Sequence, residues 1–90
     1  MELQEEKLSR AISAFSRRKI LHLLADESMT VKDIAHQTKM SVSLASRHLK
    51  FLYDLGFLSV EKKYPHKYYS LKVKEIRNLL TVYDRVIQKL

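Results

Sequence analysis

Ninety residues make one domain with little room for a second, and a chain of this size buries roughly 60–70% of the surface its unfolded form exposes. An apolar fraction of 46% beside 30% charged residues belongs to a folded protein, and the lack of cysteine excludes disulfides, thiolate metal sites and a thiol nucleophile. The net charge of +7 is unevenly spread: residues 1–7 carry three acids and one lysine, a balance of −2, residues 8–90 carry +9, and so basic a body favours nucleic acid or an anionic membrane surface.

Gly56 and Pro65 are the chain's single glycine and proline, so few breakers predict a mostly helical protein with short connections. Leu8, Ala11, Ile12 and Phe15 recur at helical spacing and predict a first amphipathic helix over 2–15. A second, 17–25, buries Ile20, Leu21 and Leu24 and ends at Asp26-Glu27-Ser28. Thr30 caps a third over 30–38, with Asp33 three residues on in capping-box position and Val31, Ile34 and Ala35 turned inward. Lys39-Met40 is a tight turn, and Ser41 caps a fourth helix over 41–55, stopped by Gly56 where a left-handed residue is wanted. Residues 57–71 read as a hairpin: Leu58 and Val60 alternate with polar neighbours, YPHK turns, and Tyr68 to Leu71 returns. The last helix, 72–90, carries Val73, Ile76, Leu80, Tyr83, Ile87 and Leu90 at alternating spacings of three and four, a seam widened by Leu79, Val82 and Val86.

That order predicts a mainly α fold with a small β-hairpin, a winged helix-turn-helix forming one domain over 1–90. In the fourth helix Ala45, Leu49, Leu52 and Leu55 face inward, while Ser43, Ser46, Arg47, Lys50 and Asp54 share the opposite face. A solvated polar face is the ordinary explanation of such a pattern. The short inter-helix turn, the basic hairpin and the net charge together favour double-stranded DNA instead. Arg47 is the candidate base reader, because its fork can grip guanine bidentately. Ser41, Ser43 and Ser46 can bond to bases or phosphates, Lys50 to phosphate, and Leu44 either meets a thymine methyl or packs on Phe51. Lys62, Lys63, His66 and Lys67 make a cationic hairpin tip suited to phosphate or the minor groove. Thr30, Gln37 and Lys39 are flanking candidates. Arg17 and Arg18 either lie along the DNA flank or face water.

SVSLASRHLKFLYDLGFL followed by KYYSL resembles the ArsR/SmtB family of winged-helix repressors. The family pattern is met by Ser41, Ser43, Ala45, Ser46, His48, Leu49, Leu52, Gly56, Phe57 and Leu58, then Tyr68, Tyr69 and Leu71; RRKILHLL and TVKDIAHQTKMS look like its second and third helices. The resemblance implies a homodimer joined through the first and last helices, and the seam of the last helix agrees. The interface expected is Leu8, Ile12, Phe15, Ile76, Leu80, Tyr83, Ile87 and Leu90, with two half-sites about one DNA turn apart in a palindromic operator. Two departures matter. The family's Cys-x-Cys metal site at the third helix is matched by Thr30 and Lys32, and residues 72–90 hold no histidine, so no metal and no cofactor are expected. The family's Asp-Pro-Thr-Arg start to the second helix is missing, and its common Gln after the capping serine is Val42.

No Gly-rich loop, cysteine, clustered histidine or paired carboxylate suggests an enzyme. His48 and His22 read as structural, with no partner at regular spacing. No apolar run approaches the roughly 18 residues that span a membrane, and the polar, acidic N-terminus is unlike a signal peptide, so a cytoplasmic, nucleoid-associated protein is expected. The expected function is that of a sequence-specific homodimeric repressor without metal response. The alternative is a winged-helix module for protein contacts, or for architectural DNA binding without operator specificity.

Overall fold

Two arginines decide where the first helix ends. In the computed structural model, which describes residues 3–90, α1 spans Gln4–Ile12 and α2 spans Phe15–Asp26, with Ala14 extended between them. The Arg17 guanidinium donates to the Arg10 and Ala11 carbonyls from Nε and to Arg10 again from Nη2 at 2.6 Å; Arg18 Nη1 donates to the Ile12 carbonyl at 2.6 Å. These carbonyls lack intrahelical donors at a helix end, so charged donors satisfy them and stop the helix. The continuous helix expected over 2–15 is therefore broken at Ser13 and Ala14; its residue 2 lies outside the described residues. Phe15 belongs to α2, which opens two residues earlier than expected, and stands 67% exposed.

Helix α3 spans Val31–Thr38 and α4 spans Val42–Asp54. Each starts on its hydroxyl cap: Thr30 Oγ1 accepts from the Asp33 amide at 3.2 Å, and Ser41 Oγ from the Leu44 amide at 3.1 Å. Lys39, at φ 59°, takes the left-handed conformation that turns α3 into the tight connection, and the Met40 amide bonds back to the Ala35 carbonyl. Buried Thr38 donates to the Ile34 carbonyl at 2.7 Å, and Lys19 of α2 reaches the Thr38 carbonyl at 3.3 Å, tying the connection to the second helix. Gly56 closes α4 at φ 94°; a methyl group there would meet nothing within 4 Å, so the backbone angle alone favours glycine.

Strands β1 (Leu58–Lys63) and β2 (His66–Leu71) pair antiparallel, Leu58 opposite Leu71 and Lys63 opposite His66. The turn is Tyr64-Pro65 alone, so His66 and Lys67 belong to the return strand rather than to the turn expected at YPHK. Met29, between α2 and α3, exchanges both backbone hydrogen bonds with Tyr69, at 3.0 and 2.8 Å. That bridge docks the hairpin against the start of α3.

Helix α5 spans Ile76–Gln88, four residues shorter at its start than expected, because Lys72–Glu75 form a bent connection. It lies against α2 through three polar contacts: Asp26 with Arg77 at 2.7 Å, His22 Nε2 with Asp84 at 3.0 Å, and Arg18 over the Tyr83 ring at 4.9 Å. His22 thus has a partner 62 residues away, invisible at sequence spacing. Ala11, Ile20, Leu21, Ile34, Ala45, Leu49, Leu52, Leu58, Leu71, Ile76 and Leu80 form one core. Ile76 and Leu80, expected at a dimer contact, are 3% and 0% exposed within the single subunit. Both belong to the core of the chain itself, where burial of each contributes about 1.5–3 kcal/mol.

Candidate nucleic-acid interface

Helix α4 presents three sides with different chemistry. Ala45, Leu49 and Leu52 are buried. Ser43, Ser46, Arg47 and Lys50 are exposed together on the opposite side, with Ser41 at the exposed N-cap. Leu44 is half-buried and shares the flank of Phe51 and His48. Phe51 is covered by two guanidiniums, Arg10 at 4.9 Å and Arg17 at 4.6 Å from the ring centroid. Arg17 therefore belongs to the scaffold behind α4 and does not simply face water. Burial first, then the nearby charges of Arg17 and Arg47, holds the His48 imidazole below its usual value near 6.5, so it stands neutral beside Arg47 at neutral pH. Lys50 spans one helical turn to Asp54 at 2.9 Å, and that hydrogen bond and charge raise its ammonium above the ordinary lysine value.

The hairpin divides its four basic residues between two faces. Side chains alternate along a strand, so the pair Lys62–Lys67 shares a face with Val60–Tyr69 and the buried Leu58–Leu71. Lys63 and His66 fall on the other face, where Lys63 lies 3.8 Å from Glu61 and 5.7 Å from the Tyr68 ring centroid, and His66 meets Tyr68 edge-on. Ser46, Lys50, Tyr53 and Asp54 of α4 face Val60, Lys62, Lys67 and Tyr69 across a cleft of 570 Å³. Tyr53 is not among the residues expected there, and Asp54, expected on the same face of the helix, is given no role by the sequence; alternation counted from Leu58 aims Lys62 at both. A second hollow of 470 Å³ brings Thr30, half-buried and engaged as a cap, beside His66 and Lys67. Gln37 and Lys39 are exposed at the far end of α3, away from both hollows.

A capped helix pair with a tight connection, the second helix exposing serines and cations beside a basic hairpin, defines a winged helix-turn-helix domain of the DNA-binding kind. The sequence profile described as "Bacterial regulatory protein, arsR family" matches residues 16–60. The chain belongs to that family and is a transcriptional regulator with a winged helix-turn-helix DNA-binding fold. It is 38% identical over 69 residues to the transcriptional repressor SdpR of Bacillus subtilis (strain 168), covering 77% of each chain. It is 33% identical over 75 residues to the cadmium resistance transcriptional regulatory protein CadC homolog of Staphylococcus aureus, spanning 82% of this chain and 62% of that protein. Among solved structures, the winged helix-turn-helix domain of Mb0332 from Mycobacterium bovis, described as homodimeric, superposes with a TM-score of 0.84 at 26% identity, covering 96% of this chain and 80% of that one. NolR from Sinorhizobium fredii shares the fold, with a TM-score of 0.83 at 24% identity, covering 92% and 83%.

Proposed function

We propose that the chain is a homodimeric repressor that reads a palindromic operator and does not respond to metal. The observation that carries this is the exposed row Ser43, Ser46, Arg47 and Lys50 on α4, of which Ser46 and Lys50 share a cleft with Lys62 and Lys67 of the hairpin. Lysines directly opposite on neighbouring strands repel, and a polyanion between hairpin and helix relieves that repulsion. The N-terminal half of α4 enters the major groove, where Arg47 can donate twice to a guanine edge.

Dimerisation is supported by apolar surface that the subunit leaves open. Leu79, Val82 and Val86 of α5 are 37%, 52% and 53% exposed, on the side of the helix next to the buried Ile76 and Leu80. Ile87 and Leu90 continue this surface at 52% and 96%, and Leu79 also lines a 480 Å³ groove with Leu8, Leu55 and Phe57. Ile12 and Tyr83, also proposed at the contact, are half-buried. The homodimeric mycobacterial domain supplies a precedent, and SdpR, named a repressor, a precedent for repression. Independence from metal is supported by the residues at the start of α3: the Thr30 hydroxyl is engaged as a cap and Lys32 brings a positive charge.

Binding to duplexes selected from a random pool, measured against salt and by sedimentation, tests the proposal. Dimers bound with a steep decline of log K against log salt are expected. Arg47→Ala should cost about 1–3 kcal/mol on the selected site and relax its sequence preference. A flat salt dependence, or a monomer on DNA, refutes it; tighter or weaker binding with added zinc or cadmium refutes the metal-independent part.

A further inference from the structure

The cleft between α4 and the hairpin holds one carboxylate among three lysines. Asp54 lines it together with Lys50, Lys62 and Lys67. The Asp54 carboxylate accepts from Lys50 Nζ at 2.9 Å, with both side chains largely exposed. An ion pair within the hairpin, Lys63 with Glu61, lies on the opposite face from the cleft. If α4 occupies a major groove and the hairpin tip the adjacent minor groove, the strand dividing the two grooves has to cross this cleft. Its phosphates then pass the place where the Asp54 carboxylate stands.

We infer that Asp54 is a built-in phosphate substitute: it holds Lys50 across the strand path in the free protein, and DNA has to displace it. This rests on the DNA-binding reading above and adds a determinant of affinity to it. The lysine is kept in one position, and its charge is already neutralised before DNA arrives. Lys50 therefore releases no net counterion when it moves to phosphate, because the abandoned carboxylate recruits a cation in exchange. The remaining carboxylate also repels the strand. Asp54 thus restrains backbone affinity without touching base discrimination, which lies with Arg47 nearer the start of the helix.

Substituting Asp54→Asn removes the charge at an exposed position near the helix C-terminus, where a carboxylate is poorly placed against the helix dipole, so the fold tolerates it. The comparison is Glu61→Gln, which makes the same change in net charge on the far face of the hairpin. Binding to a random-sequence duplex pool is measured by fluorescence anisotropy at several salt concentrations, with thermal unfolding confirming that both variants fold. Asp54→Asn is expected to bind about fivefold tighter at low salt, with a salt slope steeper by about 0.9, and Glu61→Gln to change little. Equal tightening by the two variants would reduce the effect to net charge and overturn the inference. So would an Asp54→Asn protein with unchanged affinity and slope. If the unmodified protein binds duplex weakly and without salt dependence, the DNA-binding reading fails instead, and the two failures are told apart by that control.

Discussion

The guanidinium of Arg17 lies 4.6 Å from the centroid of the Phe51 ring, on the flank of the helix that carries the exposed row Ser43, Ser46, Arg47 and Lys50. The same group bonds to the last carbonyls of α1, so one side chain joins α1, α2 and α4. Arg17→Ala should destabilise the domain by about 1–3 kcal/mol, since charged hydrogen bonds and a ring contact are lost together. Arg17→Lys should recover little of this, because an ammonium cannot reproduce the fork. Urea unfolding of both variants checks it; full recovery by lysine would mean that charge alone matters here.

The two faces of the hairpin make a sharper prediction about its lysines. Lys62→Ala and Lys67→Ala should each make the salt slope of duplex binding shallower by about 0.9, because both line the cleft. Lys63→Ala should do less, since Lys63 already neighbours Glu61 on the other face. Titrations of the three variants against one duplex decide; equal effects from Lys62 and Lys63 would show that alternation along β1 is irrelevant to DNA.

Helix α5 offers a test that separates the stability of the chain from the proposed assembly. Leu80→Ala should cost about 2–5 kcal/mol, because Leu80 is fully enclosed by its own subunit. Val82→Glu, on the open side of the same helix, should leave the subunit's helical circular dichroism intact and shift sedimentation from dimer to monomer. A Val82→Glu protein that stays dimeric would place the subunit contact elsewhere.

His48 links stability to pH with a definite sign. Its folded-state pKa lies below the unfolded value near 6.5, chiefly through burial and then through Arg17 and Arg47. Above that value both states are neutral and the histidine's contribution is fully present. As pH falls below about 6.5 the unfolded chain takes up the proton first, and stability declines until the folded imidazole also protonates. Unfolding free energies at about pH 7 and about pH 5 should differ less in His48→Gln than in the unmodified protein. An identical pH dependence in both would remove His48 from the account.

Local chemistry was legible along the chain. Thr30 and Ser41 announce helix starts because a hydroxyl in that position accepts an amide left without a partner, and Gly56 announces a stop because it alone reaches positive φ without strain. Periodicity separated the inner Ala45, Leu49 and Leu52 from the outer Ser43, Ser46, Arg47 and Lys50, since adjacent turns of a helix share a face wherever it packs. The family pattern followed from the same stretch.

Tertiary structure decided which apolar stripe meets which neighbour. Periodicity marks the seam of α5 but not its partner, and the common core takes Ile76 and Leu80, leaving Leu79, Val82 and Val86 outside. It also decided every contact between residues distant in sequence: His22 with Asp84, Met29 with Tyr69, and Asp54 facing Lys62 and Lys67. The break between α1 and α2 belongs with these, for Arg17 and Arg18 end the helix by folding back onto it. Capping and periodicity act within a few residues, whereas these pairings exist only once the core has brought separate elements together.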